Sequence, residues 1–150
     1  MMSEKIRKVR EAFHGYHCNH RSVVESGFRE KGLYFGQPPI LKYLSEHKNA
    51  TQKEIANSLH VSPPSVANSV KRMEESGLIV RVADRKDARC NNLQLTQKGK
   101  NLSEYADKLF EVADETSFNG FSDEEIDLIL SFLERMTENI KSLGKENNNV

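Results

Sequence analysis

The segment FHGYHCNHRS, residues 13–22, gathers side chains that could bind a metal ion: His14, His17, Cys18 and His20. Imidazole nitrogens and cysteine thiolates are the usual ligands of zinc and related metals. On a helix, His14, His17 and Cys18 share one flank at spacings i, i+3 and i+4, whereas His20 points elsewhere. The four side chains therefore do not form one tetrahedral site. We predict no preassembled metal site and keep His14, His17 and Cys18 as the potential ligands.

Cys18 has a second interpretation, as a sensor of thiol oxidation. The thiolate is the reactive form of cysteine, and a neighbourhood with Arg21 and histidines would favour it. The alternative is that Cys18 is only a small buried residue. The other cysteine, Cys90, is interpreted as structural or incidental. Two cysteines far apart form no disulfide framework, which indicates reduced thiols and a cytoplasmic location.

A different chemistry is indicated by residues 51–77, TQKEIANSLHVSPPSVANSVKRMEESG. Thr51 and Glu54 form a capping box that starts a short helix. Ser62 then caps a second helix, with proline in its first turn, and Gly77 ends it. Two helices joined by the tight turn HVS follow the helix-turn-helix plan, whose second helix enters the major groove of DNA.

The second of these helices has an apolar side and a polar side. Val66, Val70 and Met73 recur at helical spacing, so we expect them to face the core. The other side offers hydroxyl, amide and cationic groups that can bond base edges or neutralise phosphates. The predicted DNA contacts of this region are Ser62, Pro64, Ser65, Asn68, Ser69, Lys71 and Arg72.

The hydrophobic period changes to two after this helix. LIVRVA and CNNLQL, residues 78–83 and 90–95, indicate two short strands joined by the loop DRKDAR. A hairpin tip rich in arginine suits the narrow, electronegative minor groove. Asp87 can orient the guanidinium of Arg89 through a charge-assisted pair. The loop adds Arg85, Lys86, Asp87 and Arg89 to the predicted DNA contacts.

Helices flank this segment on both sides. The first helix, residues 3–30, has one apolar stripe, and prolines 38 and 39 begin a short second helix. A fifth helix follows Thr96, and Ser122 with Glu125 caps a sixth. The first stripe consists of Ile6, Val9, Phe13, Tyr16, His20 and Val24. The sixth helix has a heptad seam, which usually packs on another helix: Ile126, Ile129, Leu133, Met136, Ile140 and Leu143.

Composition and charge indicate one domain of 150 residues with a locally basic surface. The net charge is zero, yet residues 62–100 hold eight Lys and Arg against four acids, and residues 101–150 hold four against twelve. A local basic face is what phosphate contacts require. No apolar run could span a bilayer, and the first residues do not form a signal peptide. Enzyme motifs are missing, so we predict a protein that is not an enzyme, needs no cofactor and has no membrane partner.

The run SVANSVKRMEESGLIVRVADRKDARCNNLQLTQKG resembles the winged helix-turn-helix of the MarR (multiple antibiotic resistance regulator) family. The upstream LYFGQPPILKYL and TQKEIANSLHVS match the order of elements in that family as well. The resemblance implies a mainly α fold with a small β-hairpin wing. It also implies a winged helix-turn-helix lobe at residues 33–100, and N- and C-terminal dimerisation helices at residues 1–32 and 101–150, all in a single domain, residues 1–150.

The resemblance further implies a homodimer that binds a pseudo-palindromic operator in double-stranded DNA and regulates transcription, usually as a repressor. Ser65, Asn68, Ser69 and Arg72 would face the major groove, and Arg89, held by Asp87, would enter the minor groove. The long apolar stripes agree with self-association, because a small core cannot cover all of them. The family often has D-R-R where this chain has Asp87-Ala88-Arg89, so Arg85 and Lys86 would supply the missing wing charge.

What such a regulator would sense stays open. Family members answer to small phenolic anions, to thiol oxidation or to metals, and a small phenolic or aromatic effector is our first expectation. The predicted pocket residues are Tyr16, His20, Tyr34, Phe35 and Tyr43; the alternative is that these side chains belong to the core. A winged helix used only for protein contacts is the remaining alternative, and it would show no salt-dependent affinity for DNA.

Overall fold

The chain folds into six helices and one two-stranded hairpin over the residues that the computed structural model describes, 3–83 and 91–147. The elements are α1 (Glu4–Glu30), α2 (Pro38–Glu46), α3 (Gln52–Leu59), α4 (Pro63–Glu75), β1 (Ile79–Ala83), β2 (Asn91–Leu95), α5 (Gln97–Ser117) and α6 (Asp123–Asn147). This architecture confirms the predicted fold class. Residues 1–113 and 114–150 form two compact units. The predicted division by role, with residues 33–100 as the DNA-binding lobe, stays a prediction.

Local hydrogen bonds fix where α3 and α4 begin, as the sequence predicts. The Thr51 hydroxyl accepts from the backbone N–H of Glu54 at 3.3 Å, and the Glu54 carboxylate accepts from the Thr51 N–H at 2.7 Å. The bonds from the backbone and then the hydroxyl of Thr51 lower the pKa of Glu54, because they favour the ionised carboxylate. At α4, the Ser62 hydroxyl accepts from the N–H of Ser65 at 3.3 Å. The two helices therefore start at the predicted caps.

The two strands pair in antiparallel orientation, with Ile79 opposite Leu95 at one end. β1 begins one residue later than predicted, at Ile79, and position 90, the predicted start of the second strand, lies outside the described residues. The backbone N–H of Leu93 also donates to the carbonyl of Ala50 at 2.8 Å, which attaches the hairpin to the segment before α3. Residues 84–90 lie outside the described residues, and they include Arg85, Lys86, Asp87, Arg89 and Cys90.

The core of the first unit is built from α1 to α4, the hairpin and part of α5. Val66, Val70 and Met73, the predicted inner positions of α4, are at most 1% exposed. These side chains anchor α4 through one face and leave its opposite face at the surface. Other members of the buried cluster are Val24, Phe28, Leu33, Ile40, Leu41, Leu44, Ile55, Ile79, Leu93 and Ala106.

The backbone that follows α4 packs closely against the start of α5. The Thr96 hydroxyl donates to the carbonyl of Gly77 at 2.7 Å and accepts from the N–H of Gly99 at 3.0 Å. A Cβ atom at Gly99 would lie 2.0 Å from the carbonyl oxygen of Leu78, so this position requires glycine. Lys98 adds a bond from Nζ to the carbonyl of Ser76 at 2.9 Å. We call this set the α4–α5 junction: Ser76, Gly77, Leu78, Thr96, Lys98 and Gly99.

The predicted apolar stripe of α1 is largely exposed within one chain. Ile6, Val9, Phe13 and Tyr16 are 43–59% exposed, whereas Val24 at the far end is buried in the core. The stripe therefore has one end that belongs to the core and a longer part, from Ile6 to Tyr16, that is exposed to solvent in the described chain.

α6 shows the same pattern in the second unit. It begins at the predicted capping box, in which the Ser122 N–H donates to the Glu125 carboxylate at 2.9 Å and the Glu125 N–H donates to the Ser122 hydroxyl at 3.3 Å. The later part of its heptad seam is 38–67% exposed: Leu133, Met136, Ile140 and Leu143. A seam of this kind is typical of a surface that packs on another helix.

We expect Gly99→Ala to lower the free energy of unfolding by about 2 kcal/mol or more, because the new methyl group meets a backbone oxygen that cannot rotate away. Urea denaturation at fixed protein concentration measures the change. Asn101→Ala is the matched control, since Asn101 is an exposed residue of the same helix. A Gly99→Ala protein as stable as the control would show that the junction tolerates a side chain.

Candidate nucleic-acid interface

The predicted recognition side chains lie on the outer face of α4. Pro64, Ser65, Asn68, Lys71 and Arg72 are exposed, and so is Ser62 before the helix. Ser69 differs, because it is half-buried beside Gly36, where an added Cβ atom would lie 3.7 Å from the Ser69 hydroxyl. The helix therefore presents one polar surface, the recognition face, formed by Pro64, Ser65, Asn68, Lys71 and Arg72.

The N-terminal end of α4 combines two hydroxyl groups with the positive end of a helix. The hydroxyls of Ser62 and Ser65 lie 2.7 Å apart, and the Ser62 oxygen also accepts from the Ser65 N–H. The Ser62 hydroxyl is therefore occupied by capping, while both side chains remain exposed. The helix dipole and the N–H groups of the first turn make this end favourable for an anion such as a phosphate.

Arg72 is the cation of the recognition face that contacts an aromatic ring. Its guanidinium carbon lies 5.6 Å from the centre of the Tyr34 ring, within the range of a cation–π contact. Lys71 lies 4.0 Å from Glu75 one turn later, at the limit of an ion pair. The sequence does not predict the contact between Arg72 and Tyr34, because the two residues are 38 positions apart. It indicates only that the segment LYFGQPP forms a turn between two helices.

One basic residue of the hairpin already forms an ion pair within the chain. Arg81 on β1 makes two hydrogen bonds to the Glu74 carboxylate, at 2.8 and 3.0 Å. This bidentate pair holds β1 against the end of α4 and reduces the charge that Arg81 offers to an outside anion. Arg81 is one of the eight basic residues of positions 62–100, but it is not one of the predicted DNA contacts.

The five predicted pocket residues fall in separate places. Tyr34 and Phe35 are 61% and 40% exposed on the loop before α2. The guanidinium carbon of Arg21 lies 4.3 Å from the centre of the Phe35 ring. Tyr16 is exposed on α1, with its ring 5.8 Å from that of His20. Tyr43 is half-buried and stacks on His47 at 4.2 Å. Tyr16, Tyr34 and Phe35 are therefore not core residues of one chain, and their role in a ligand site stays a prediction.

In the histidine–cysteine segment, one contact joins a histidine to the cysteine. Cys18 Sγ lies 3.6 Å from Nε2 of His14, one helical turn away, and both side chains are exposed. Among the described residues, no group of three or more His, Cys, Asp or Glu side chains is arranged to hold a metal ion. His17 therefore does not complete a site with His14 and Cys18 within one chain.

The fold and sequence of the chain match known regulators. Residues 31–89 match the sequence model of the MarR family. The chain is 27% identical over 120 residues to the HTH-type transcriptional regulator YybA of Bacillus subtilis, and the match covers 80% of each protein. The crystal structure of the transcriptional regulator SlyA superimposes with a TM-score of 0.72 at 25% identity, covering 93% of this chain and 96% of that one. The segment that contains the helix-turn-helix is therefore similar to the MarR family.

A solved complex places the same fold on DNA. The Staphylococcus aureus MepR–DNA complex superimposes on this chain with a TM-score of 0.75 at 24% identity, covering 93% of this chain and 99% of that one. The chain is thus similar to MarR-family transcriptional regulators and has their winged-helix fold. In the described part of the chain, the helices lack the combination of length and apolar character that crossing a membrane requires.

We expect Tyr34→Ala to weaken DNA binding about two- to fivefold, because it removes the aromatic surface under Arg72. Tyr34→Phe keeps the ring and should bind within a factor of two of the unchanged protein. Fluorescence anisotropy with a duplex from the region upstream of its own gene measures the affinity.

Phe35→Ala is the matched control for this comparison, since its ring lies under Arg21 and not under Arg72. Equal losses for Tyr34→Ala and Tyr34→Phe would show that the hydroxyl, not the ring, is responsible. A loss for Phe35→Ala as large as that for Tyr34→Ala would trace the effect to the loop as a whole.

Proposed function

We propose that the protein acts in the cytoplasm as a homodimeric transcriptional repressor that binds a pseudo-palindromic operator and is released by a small-molecule effector. Each protomer would insert the recognition face of α4 into the major groove and the loop 84–90 into the neighbouring minor groove. The observation that carries this proposal is the solvent-facing set of donors and cations on a helix whose opposite face is locked in the core.

The recognition face has the chemistry for both kinds of DNA contact. Asn68 offers an amide that can pair with an adenine edge, and Arg72 offers a fork that matches guanine or a phosphate. Ser65 at the helix start suits a phosphate because the helix dipole adds to its hydroxyl. Ser69 is half-buried, so we assign it a supporting role in the contact with DNA.

The wing contribution rests on sequence alone. Arg85, Lys86 and Arg89 would supply positive charge to the minor groove, and Asp87 would hold Arg89 in position. These residues lie outside the described part of the chain. Because Arg81 is paired with Glu74, the wing charge in this proposal comes from the loop and not from β1.

The dimer is supported by apolar surface that one chain leaves exposed. The stripe of α1 and the heptad seam of α6 each present several large side chains to solvent, and contiguous apolar surface of this kind marks an interaction site. A second copy is the simplest occupant, because two recognition helices related by a twofold axis read two half-sites of a pseudo-palindrome. Occupying both half-sites near a promoter would block transcription.

The alternative control signals are thiol oxidation and metal ions, and the alternative partner in place of DNA is another protein. The exposed Cys18 beside His14 supports a sensor of thiol oxidation or of metal ions, the latter only if a second segment supplies further ligands. A winged helix that contacts only proteins is the alternative to DNA binding, and salt dependence of DNA affinity discriminates between the two.

We expect the protein to retard its own upstream region in a mobility-shift assay, with affinity that falls steeply as salt rises. Arg72→Ala should weaken binding roughly tenfold, and Asn68→Ala should reduce discrimination between operator and unrelated DNA. Lys108→Ala, which removes an exposed charge of α5, is the control and should bind normally. A protein that retards no DNA at low salt would favour the protein-contact alternative.

We expect the protein to be a dimer in solution, with a mass by light scattering near twice the 17.1 kDa of one chain. Ile140→Glu should shift the mass toward the monomer, because it places a charge in the exposed seam of α6. Asn139→Glu adds the same charge at the neighbouring position outside the seam, so it should remain dimeric. A monomer at micromolar concentration would exclude the proposed architecture.

A further inference from the structure

The first unit contains a cavity of about 420 Å³ that lies apart from the recognition face. It is bordered by the end of α2 and the loop after it, by β2 and by the first half of α5. Cavities of this volume are typical of sites for small molecules. None of the five predicted aromatic pocket residues is among its lining side chains. The residues that matter for its chemistry are Leu44, Lys48, Leu95, Lys100, Ser103 and Glu104.

Ser103 is the clearest indication that the cavity takes a ligand. Its side chain is 3% exposed, and its hydroxyl has no hydrogen-bond partner among the described residues. Buried hydroxyl groups in folded proteins are nearly always hydrogen-bonded, because leaving one unpaired costs free energy. The Ser103 Oγ is covered by protein atoms, so a molecule in the cavity would provide the missing partner after a small movement of the side chains around it.

Three of the four charged side chains that line the cavity also have no ion-pair partner in the described part of the chain. Lys48, Lys100 and Glu104 are exposed and form no ion pair within the described part of the chain. Other polar lining groups already have partners: Asp107 accepts from Lys42 at 3.1 Å, and the Ser45 hydroxyl donates to the Lys42 carbonyl at 2.7 Å. Two ammonium groups, one carboxylate and one hydroxyl are therefore left to meet a ligand.

We propose that this cavity binds a small zwitterion with an apolar side chain, a molecule of the free amino acid class. The ligand carboxylate would lie toward Lys48 and Lys100, and its ammonium group toward Glu104. Lys100 and Glu104 are one helical turn apart on α5, a spacing that suits the two charges of one small molecule.

The apolar walls and the hydroxyl complete the fit. Leu44 and Leu95 would contact the apolar side chain of the ligand, while Ser103 would bond its carboxylate. The mixed signs of the free charges favour a zwitterion over a simple anion, which would meet the unpaired carboxylate of Glu104. The lining of the cavity shares no residue with the recognition face, so ligand binding can be tested on the protein without DNA.

The twenty standard amino acids, each at about 10 mM, are first compared by thermal shift on the full chain, since a ligand of the native state raises Tm. We expect one or more with an apolar side chain to raise Tm. Isothermal titration then compares L-leucine with 4-methylpentanoate, which lacks the ammonium group, and isoamylamine, which lacks the carboxylate. Each single-charge analogue should bind at least tenfold more weakly than the amino acid.

Variants link the binding to the cavity. Ser103→Ala and Glu104→Gln should each weaken binding at least fivefold, and Asn101→Ala, on the same helix but outside the lining, should not. Circular dichroism checks that each variant is folded. The proposal is overturned if no amino acid raises Tm or gives heat, if 4-methylpentanoate binds as tightly as L-leucine, or if Glu104→Gln binds normally.

Discussion

The close approach of Gly99 to the carbonyl of Leu78 is the constraint on which the arrangement of the winged helix-turn-helix depends. It brings the first turn of α5 directly onto the backbone that leaves α4. Thr96 then ties the two sides together, because its hydroxyl donates to Gly77 and accepts from Gly99. Since α4 is also fixed by its buried inner face, the direction of the recognition helix is set by packing on one side and by this junction at its end. A side chain at position 99 would separate the two elements.

Much of this fold was predictable because its determinants are local. The caps at Thr51, Ser62 and Ser122 are each satisfied within three residues along the chain, so their sequence patterns indicate helix starts without knowledge of the tertiary structure. The inner positions of α4 follow from helical spacing, and the strands follow from a period of two. The same logic explains the one-residue difference at the start of β1, where pairing and not composition decides the boundary.

The parts of the site that could not be predicted depend on tertiary contacts. Arg72 over Tyr34 joins the recognition helix to a loop before α2, and the Arg81–Glu74 pair joins a strand to a helix. The sequence separation of neither pair corresponds to the period of a helix or a strand. The unpaired Ser103 hydroxyl is likewise visible only once α5 is packed against its neighbours. For the histidine–cysteine segment, helical spacing alone separates His20 from the other three side chains, and within the described part of the chain the fold leaves one exposed His14–Cys18 contact.

The charge distribution supports the proposal that DNA recognition uses more than one helix. The net charge is zero, and of the cations near the hairpin Arg81 is already paired inside the chain. A single recognition face with Lys71 and Arg72 can release few counterions from DNA, so its affinity for phosphates is limited. In the proposed dimer, a second protomer would double the face and the loop 84–90 of each protomer would add to it, which would raise the number of phosphate contacts without a larger lobe. The exposed apolar stripes would then contribute to DNA binding, because they are the surfaces through which the proposed dimer would supply the second face.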